Sequence, residues 1–389
     1  MNTTVVKNKS PIPLVWKFFH ILKKDGPVIA WKHARTFFLG YDPDSLSVEY
    51  PISIQLSLNK TCNLNCIFCA RQTTKIREEL ASENNLVMPV DFLKKNSTLF
   101  KRADYVNIAA DGEPLLHPEI SKILVLLSSA AQKPNIIFVT NGVLLDGALI
   151  EVIVKSQIME IHFSIDSLNQ TNLRFIRPGV DIDTLTRSIE RINQLKKENN
   201  TAFPRLVLRP TIISKNIEEL PLMLDFCQKY DFSAMLVQQM QIYKQALAKY
   251  SLVHCKDIAK KALNEAVEKG DRLDIPVVLD PVISDLDNQG IESIDNALNK
   301  IEESVTATED MKVDNLREKC NLPWEYMLIQ TDGNIYPCCH SKYFLGNLNN
   351  DSWENIWNGP KAKELRKKFM KNILPKECVN QPCGLGKVD

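Results

Sequence analysis

The chain has 389 residues, 44% of them apolar and 24% charged, which allows two domains or one large α/β barrel with an appendage. A formal net charge of +1 gives no global electrostatic case for nucleic acid or an anionic membrane. No stretch approaches the roughly 18 apolar residues of a transmembrane helix.

Residues 1–50 carry basic and aromatic residues in Trp16–His20 and Trp31–Phe38, expected as a helical extension capping the main domain. The first residues, MNTTVVKNKSPIP, lack the apolar core and cleavage site of a signal peptide. The ten cysteines are therefore expected as thiols in a reducing, cytoplasmic setting, where they read as metal ligands first. Residues 51–240 alternate short apolar runs (Ile52–Leu58, Tyr105–Ala110, Ile136–Thr140, Met159–Ile165, Leu206–Thr211, Met235–Gln239) with helical patterns. The helical patterns span Pro89–Lys101, Pro118–Ala131, Leu145–Lys155, Thr184–Asn199 and Ile217–Tyr230. Several runs are rich in Val and Ile without strict alternation, as parallel strands covered on both faces are. The count predicts an α/β fold: a partial (β/α)6 barrel of parallel strands, with its site at the strands' C-terminal ends.

Residues 241–315 read as a helical linker or insert, with helices over Lys256–Gly270 and Ile291–Glu303. Residues 316–389 change character: five cysteines, Trp324, Trp353 and Trp357, and a hairpin turn at Asp332-Gly333 between Met327–Thr331 and Asn334–Pro337. They are expected to form a small cysteine-rich hairpin domain.

The run Cys62-Asn-Leu-Asn-Cys66-Ile-Phe-Cys69 sets three thiols within eight residues, just after the first apolar run. Three such cysteines can hold three corners of a four-iron cluster and leave the fourth iron open for chemistry. A zinc site needs a closing pair, and none lies nearby in sequence. A disulfide reading leaves one thiol over. Asp111-Gly112-Glu113-Pro114 follows the second run, where Gly112 permits close backbone approach and Glu113 offers a carboxylate. Ser164 ends the fourth run, with Arg174 and Arg177 following; the bland reading is a cap and surface charges. Thr140-Asn141-Gly142 reads equally well as a turn. Cys227 and Cys255 sit singly in helical patterns, as packing residues do.

The three-cysteine loop, with Phe68 before its last cysteine, resembles that of the radical S-adenosylmethionine (SAM) enzymes. Asp111–Pro114 is similar to their G-G-E-P element, which holds the SAM amino group, with Asp111 in place of the first glycine. The resemblance implies that Ser164 and Arg177 contact the ribose and carboxylate of SAM. Cys320, Gly333 and Cys338, then Tyr336-Pro337-Cys338-Cys339, Gly346-Asn347-Leu348, Ile356-Trp357 and Leu365-Arg366, ending at Cys378 and Cys383, resemble the SPASM and twitch domains appended to such enzymes. The full SPASM pattern carries more cysteines and two clusters. One auxiliary [4Fe-4S] cluster on Cys320, Cys338, Cys378 and Cys383 is therefore expected, with Cys339 a spare and a zinc knot the alternative.

By the same resemblance, SAM bound at the open iron is cleaved by one electron to a 5′-deoxyadenosyl radical, which takes a hydrogen atom from the substrate. The auxiliary cluster accepts the resulting electron, binds substrate or holds the fold. The leading expectation is a maturase of a ribosomally made peptide, served by a low-potential donor such as flavodoxin or ferredoxin and by a separate peptide-presenting protein. Dehydrogenation of a small alcohol, such as an aminosugar or cyclitol, is the second reading. A non-catalytic metal-binding scaffold is the third.

Overall fold

Alternate burial along the first two apolar runs explains why they become strands. In β1 (Ser53–Leu56), Ile54 and Leu56 are fully buried while Ser53 and Gln55 are half-buried. In β2 (Tyr105–Ile108), Val106 and Ile108 repeat the pattern beside Tyr105 and Asn107. One face thus packs apolar residues on helices and the other collects polar ones, which departs from the two-sided apolar reading. The computed structural model describes residues 46–73, 78, 87–109, 111–129, 135–156, 158–242, 244–280, 283, 286 and 309–379. The expected N-terminal extension as far as residue 45, the expected helix Ile291–Glu303 and Cys383 lie outside these residues.

β1 and β2 continue through β3 (Asn135–Thr140), β4 (Glu160–Phe163), β5 (Arg205–Leu208), β6 (Thr211–Ile212) and β7 (Phe232–Gln239). The neighbours β1–β2, β2–β3, β3–β4, β4–β5 and β5–β7 all pair in parallel, and the sheet does not close, so the partial (β/α)6 barrel holds. The expected helix Pro89–Lys101 divides at Asn96 into α1 (Val90–Lys95) and α2 (Ser97–Arg102), where the Asn96 amide turns back to donate to Phe92 O at 2.9 Å. In α3 (Ile120–Ser128) Ile120, Ile123, Leu124 and Leu127 form the buried stripe of a helix lying on a sheet. Asp146 caps α4 (Gly147–Lys155) through the Leu149 amide at 2.8 Å. A helix absent from the sequence reading follows, α5 (Gln170–Ile176). After it come α6 (Ile182–Glu198), capped by Asp181, and α7 (Leu220–Lys229).

The sheet runs on past both boundaries expected from the sequence. After α8 (Lys256–Leu273), β8 (Val277–Leu279) pairs in parallel with β7. β9 (Met311–Lys312) precedes α9 (Leu316–Lys319), α10 (Leu322–Glu325) and β10 (Tyr326–Ile329). β10 pairs in parallel with β1 itself, in register from Ser53↔Tyr326 to Leu56↔Ile329. The hairpin then forms as expected. Gly333 turns at φ 84°, and β11 (Asn334–Tyr336) returns antiparallel on β10, followed by β12 (Gly346–Asn347). Two helices cover this end, α11 (Trp353–Trp357) and α12 (Pro360–Met370), and β13 (Ile373–Leu374) pairs with β9. Trp324, Trp357 and Arg366 are fully buried there, with the Arg366 guanidinium 4.5 Å from the Trp357 ring centre. Among the described residues no helix is long and apolar enough to cross a membrane.

Candidate active site

Parallel strands end together, so the segments after β1 to β5 meet on one rim. The cysteine loop leaves β1 and is pinned to the segment after β2. Glu113 N–H donates to Thr61 O at 2.7 Å, and the Asn59 side chain donates to Glu113 O at 2.8 Å. Arg71 donates to Lys60 O and, at 2.8 Å, to Asp111 O. A Cβ on Gly112 would lie 2.3 Å from Asn59 Oδ1 and from Thr61 O, and 2.6 Å from Asn59 O. Only glycine permits that approach.

Glu113 is buried, and burial raises its carboxyl pKa above the usual carboxylate range. Three donors work the other way: Thr140 Oγ1 at 2.6 Å and the Leu115 amide at 3.1 Å on Oε1, and the Asn141 amide at 2.8 Å on Oε2. A carboxylate offers about four acceptor sites, so capacity for one further donor remains on Oε2. Asn141 also donates from its side chain to Asn63 Oδ1 at 2.9 Å, which ties the end of β3 to the cysteine loop. Thr140-Asn141-Gly142 is thus more than a turn. Its first two residues hold Glu113, and Gly142 sits at φ 75°.

Of the loop thiols Cys66 is buried, and Cys62 and Cys69 are half-buried. Burial pushes the Cys66 thiol up to about 11 against the pull of the Arg177 guanidinium, and burial also raises Cys62. Arg177 is buried too. It pairs with Asp166, donates to Cys66 Sγ at 3.4 Å and lies 5.5 Å from the centre of the Phe68 ring. Asp166 is held in turn, accepting the Thr211 amide at 2.7 Å on its carboxylate and Asn216 at 2.6 Å on its carbonyl. Arg177 therefore braces the cysteine loop from the β4 side, a role the sequence reading missed because it left Asp166 unassigned. Ser164 is half-buried just past β4, and among the described residues its hydroxyl has no partner. Arg174 is exposed on α5.

Among the described residues no three Cys, His, Asp or Glu side chains converge on one ion. A cubane spreads its thiolate ligands more widely than a single ion does, so the loop suits a four-iron cluster better than zinc. The Cys62 and Cys66 thiols, raised by burial, also need a cation to ionise, and iron would supply one.

Of the second cysteine set, Cys338 and Cys378 meet at Ser341, on the turn after β11. Ser341 N–H donates to Cys338 Sγ at 3.2 Å, and Ser341 Oγ lies 3.2 Å from Cys378 Sγ. Cys320 ends α9, half-buried, in a segment that the β9–β13 ladder joins to the stretch before Cys378. Cys339 is exposed; it and Cys338 both lie within electrostatic reach of Tyr326 of β10, and Cys339 also reaches Arg209, just past β5. Arg209 is half-buried, donates from Nε to Gln238 Oε1 at 2.8 Å, and feels Asp280 at the end of β8. Asp280 also acts on His340, whose pKa burial lowers. Tyr326 hydroxyl donates to Gln55 of β1. Arg209, Gln238, Asp280 and Tyr326 were not singled out from the sequence, since only the sheet order brings them together.

A family model described as "Radical SAM superfamily" matches residues 56–227, and one described as "SPASM, iron–sulfur cluster-binding domain" matches residues 320–384. The chain thus contains a domain of the radical SAM superfamily. That superfamily is an enzyme class that binds SAM on a [4Fe-4S] cluster, and the SPASM domain adds an auxiliary iron–sulfur cluster. The scaffold reading falls with this match.

Among curated proteins, "Probable GTP 3',8-cyclase" of Methanocaldococcus jannaschii is 28% identical over 187 residues, 47% of this chain and 57% of that protein. GTP 3',8-cyclase of Clostridium botulinum strain Hall is 24% identical over 195 residues, 49% and 56% of the two chains. The chain spans little more than half the length of these relatives. Among solved structures, Streptococcus suis SuiB bound to S-adenosylmethionine superposes with a TM-score of 0.60 at 13% identity, over 92% of this chain and 78% of that one. Native anSMEcpe with bound AdoMet superposes at 0.57 and 17% identity, over 81% and 82%. These likenesses establish a shared fold.

Proposed function

We propose that this radical SAM enzyme is a maturase that modifies a ribosomally made peptide by hydrogen abstraction, with its auxiliary cluster taking up an electron. The observation that carries the reading is that the two cysteine sets flank one sheet seam. Cys62, Cys66 and Cys69 follow the C-terminal end of β1, while Cys338 and Cys339 follow β11, whose antiparallel return carries them back toward Tyr326, level with the start of β1. Cys62 follows β1, while Cys339 and His340 lie within electrostatic reach of Arg209 and Asp280 at the ends of β5 and β8. A substrate seated among Arg209, Gln238 and Asp280 would sit between the two sets. Proteins of the same fold support a peptide substrate: SuiB has been seen bound to precursor peptide SuiA, and anSMEcpe to the peptide Kp18Cys.

The loaded site would supply a carbon radical from SAM. The chain's own residues do the rest. Glu113 Oε2 has room for the SAM ammonium, Ser164 and Arg177 flank the same rim, and Cys62, Cys66 and Cys69 hold iron. Arg209 offers a fork to a carbonyl or carboxylate of the substrate. A low-potential donor such as flavodoxin or ferredoxin, a separate peptide-presenting protein and a cytoplasmic location complete the proposal. A small-molecule substrate is the second reading, favoured by curated relatives named for a nucleotide reaction.

Iron and sulfide content after anaerobic reconstitution tests the two-cluster assignment. The parent should hold about eight irons and the Cys62/Cys66/Cys69→Ala variant about four. A fall from about four to none would sink the electron-acceptor role. Co-expression with a short peptide encoded beside this gene, read by mass spectrometry, tests the substrate; unmodified peptide with active SAM cleavage favours the small molecule.

A further inference from the structure

We infer that Ser341 is a positioning residue that sets the reduction potential of the auxiliary cluster through hydrogen bonds to two of its ligand sulfurs. The inference rests on the assignment of Cys338 and Cys378 as ligands and goes beyond it. Ser341 is 7% exposed and reaches both sulfurs at once, its amide to Cys338 Sγ and its hydroxyl to Cys378 Sγ, each at 3.2 Å.

The direction of the hydroxyl contact follows from chemistry. A ligating cysteine is a thiolate and has no proton to give. The Tyr343 amide already donates to Ser341 Oγ at 3.0 Å, which occupies an acceptor site and directs the hydroxyl proton toward Cys378. The turn is also anchored from its other side, by the Lys342 amide on Glu377 O at 3.3 Å. Ser341 is therefore held to the segments bearing both cysteines. Reduction adds negative charge to a cluster and its sulfurs. Donors aimed at those sulfurs stabilise the reduced state more than the oxidised one and raise the potential. A cluster that takes up an electron gains from that shift.

The test uses the full chain with Cys62/Cys66/Cys69→Ala, so that only the auxiliary cluster is read, in an EPR-monitored redox titration. Ser341→Ala should lower the midpoint potential by an amount equivalent to at least a tenfold change in the electron-transfer equilibrium, about 59 mV for one electron. Ser341→Thr keeps the hydroxyl and should recover most of it. An Ala variant at the parent potential overturns the inference while leaving the two-cluster assignment intact. If no iron loads even with Ser341 present, the assignment fails first. If the Ala variant alone fails to load, double-resonance spectra of the reduced Ser341 protein in deuterated buffer decide. They must show an exchangeable hydrogen coupled to the cluster, and its absence overturns the inference.

Discussion

Replacing Gly112 with alanine tests whether the segment after β2 and the cysteine loop are one unit. The added Cβ would meet Asn59 Oδ1 and Thr61 O at 2.3 Å and Asn59 O at 2.6 Å. Two of these atoms are backbone carbonyls, which cannot swing aside as a side chain can. Separating the segments stretches the Glu113 N–Thr61 O and Asn59 Nδ2–Glu113 O bonds, now 2.7 and 2.8 Å. Each is worth roughly 1 kcal/mol, and overpacking adds roughly 1–3 kcal/mol. The sum, roughly 3–5 kcal/mol, far exceeds the roughly 0.4–1 kcal/mol that alanine returns by stiffening the unfolded chain. Gly147 provides the control, because a Cβ there meets nothing within 4 Å. Urea unfolding of the apo protein should show a large loss for Gly112→Ala and none for Gly147→Ala, and iron retention should follow the same order. Equal behaviour of the two variants would refute the coupling.

Glu113→Gln leaves one oxygen and one amide against three donors, so one donor loses its acceptor, at roughly 1–3 kcal/mol. It also removes a charged acceptor from the SAM ammonium, so equilibrium dialysis on reconstituted protein should show SAM affinity falling roughly tenfold or more; unchanged affinity puts Glu113 outside the SAM site. Asp166→Ala strands Arg177 as a buried charge and should cost roughly 3–5 kcal/mol in urea unfolding, while the double variant Asp166→Leu, Arg177→Met recovers most of it. A single-variant cost below roughly 1 kcal/mol would mean that the pair does not brace the loop. Cys227 is fully buried, and burial pushes its thiol up to about 12. Roughly one molecule in ten thousand is thiolate at pH 8, so iodoacetamide should leave Cys227 unmodified in the folded protein; labelling at the rate of an exposed thiol would contradict the packing role.

What the sequence disclosed follows the range of each signal. The three-cysteine loop and the Asp332-Gly333 hairpin are local, and both stand where they were expected. The six strands were legible because Val and Ile runs mark parallel strands whatever their partners. Asn96 splits a helix because its side chain competes for Phe92 O, a choice that helical periodicity does not register. β8 escaped notice as three residues behind Pro276. Asp166 and Arg177 were both visible as charges, yet eleven residues of separation did not reveal an ion pair. Thr140 and Asn141 looked like a turn because their partner, Glu113, lies 27 and 28 residues away.

The pairing of β10 with β1 was the least legible step and has the widest consequence. Tyr326 and Gln55 are 271 residues apart in sequence, and their side chains meet across adjacent parallel strands. Strand order, not sequence proximity, therefore sets the relation between the two cysteine sets, since one follows β1 and the other follows the hairpin that β10 begins. A shift of β10 against β1 would have to break a ladder running from Ser53↔Tyr326 to Leu56↔Ile329 and turn Tyr326 away from Gln55. The ladder thus holds the cysteine loop after β1 and the hairpin before Cys338 in one fixed relation. That rigidity is what a site needs when a reactive carbon must be met by one hydrogen of a substrate and no other.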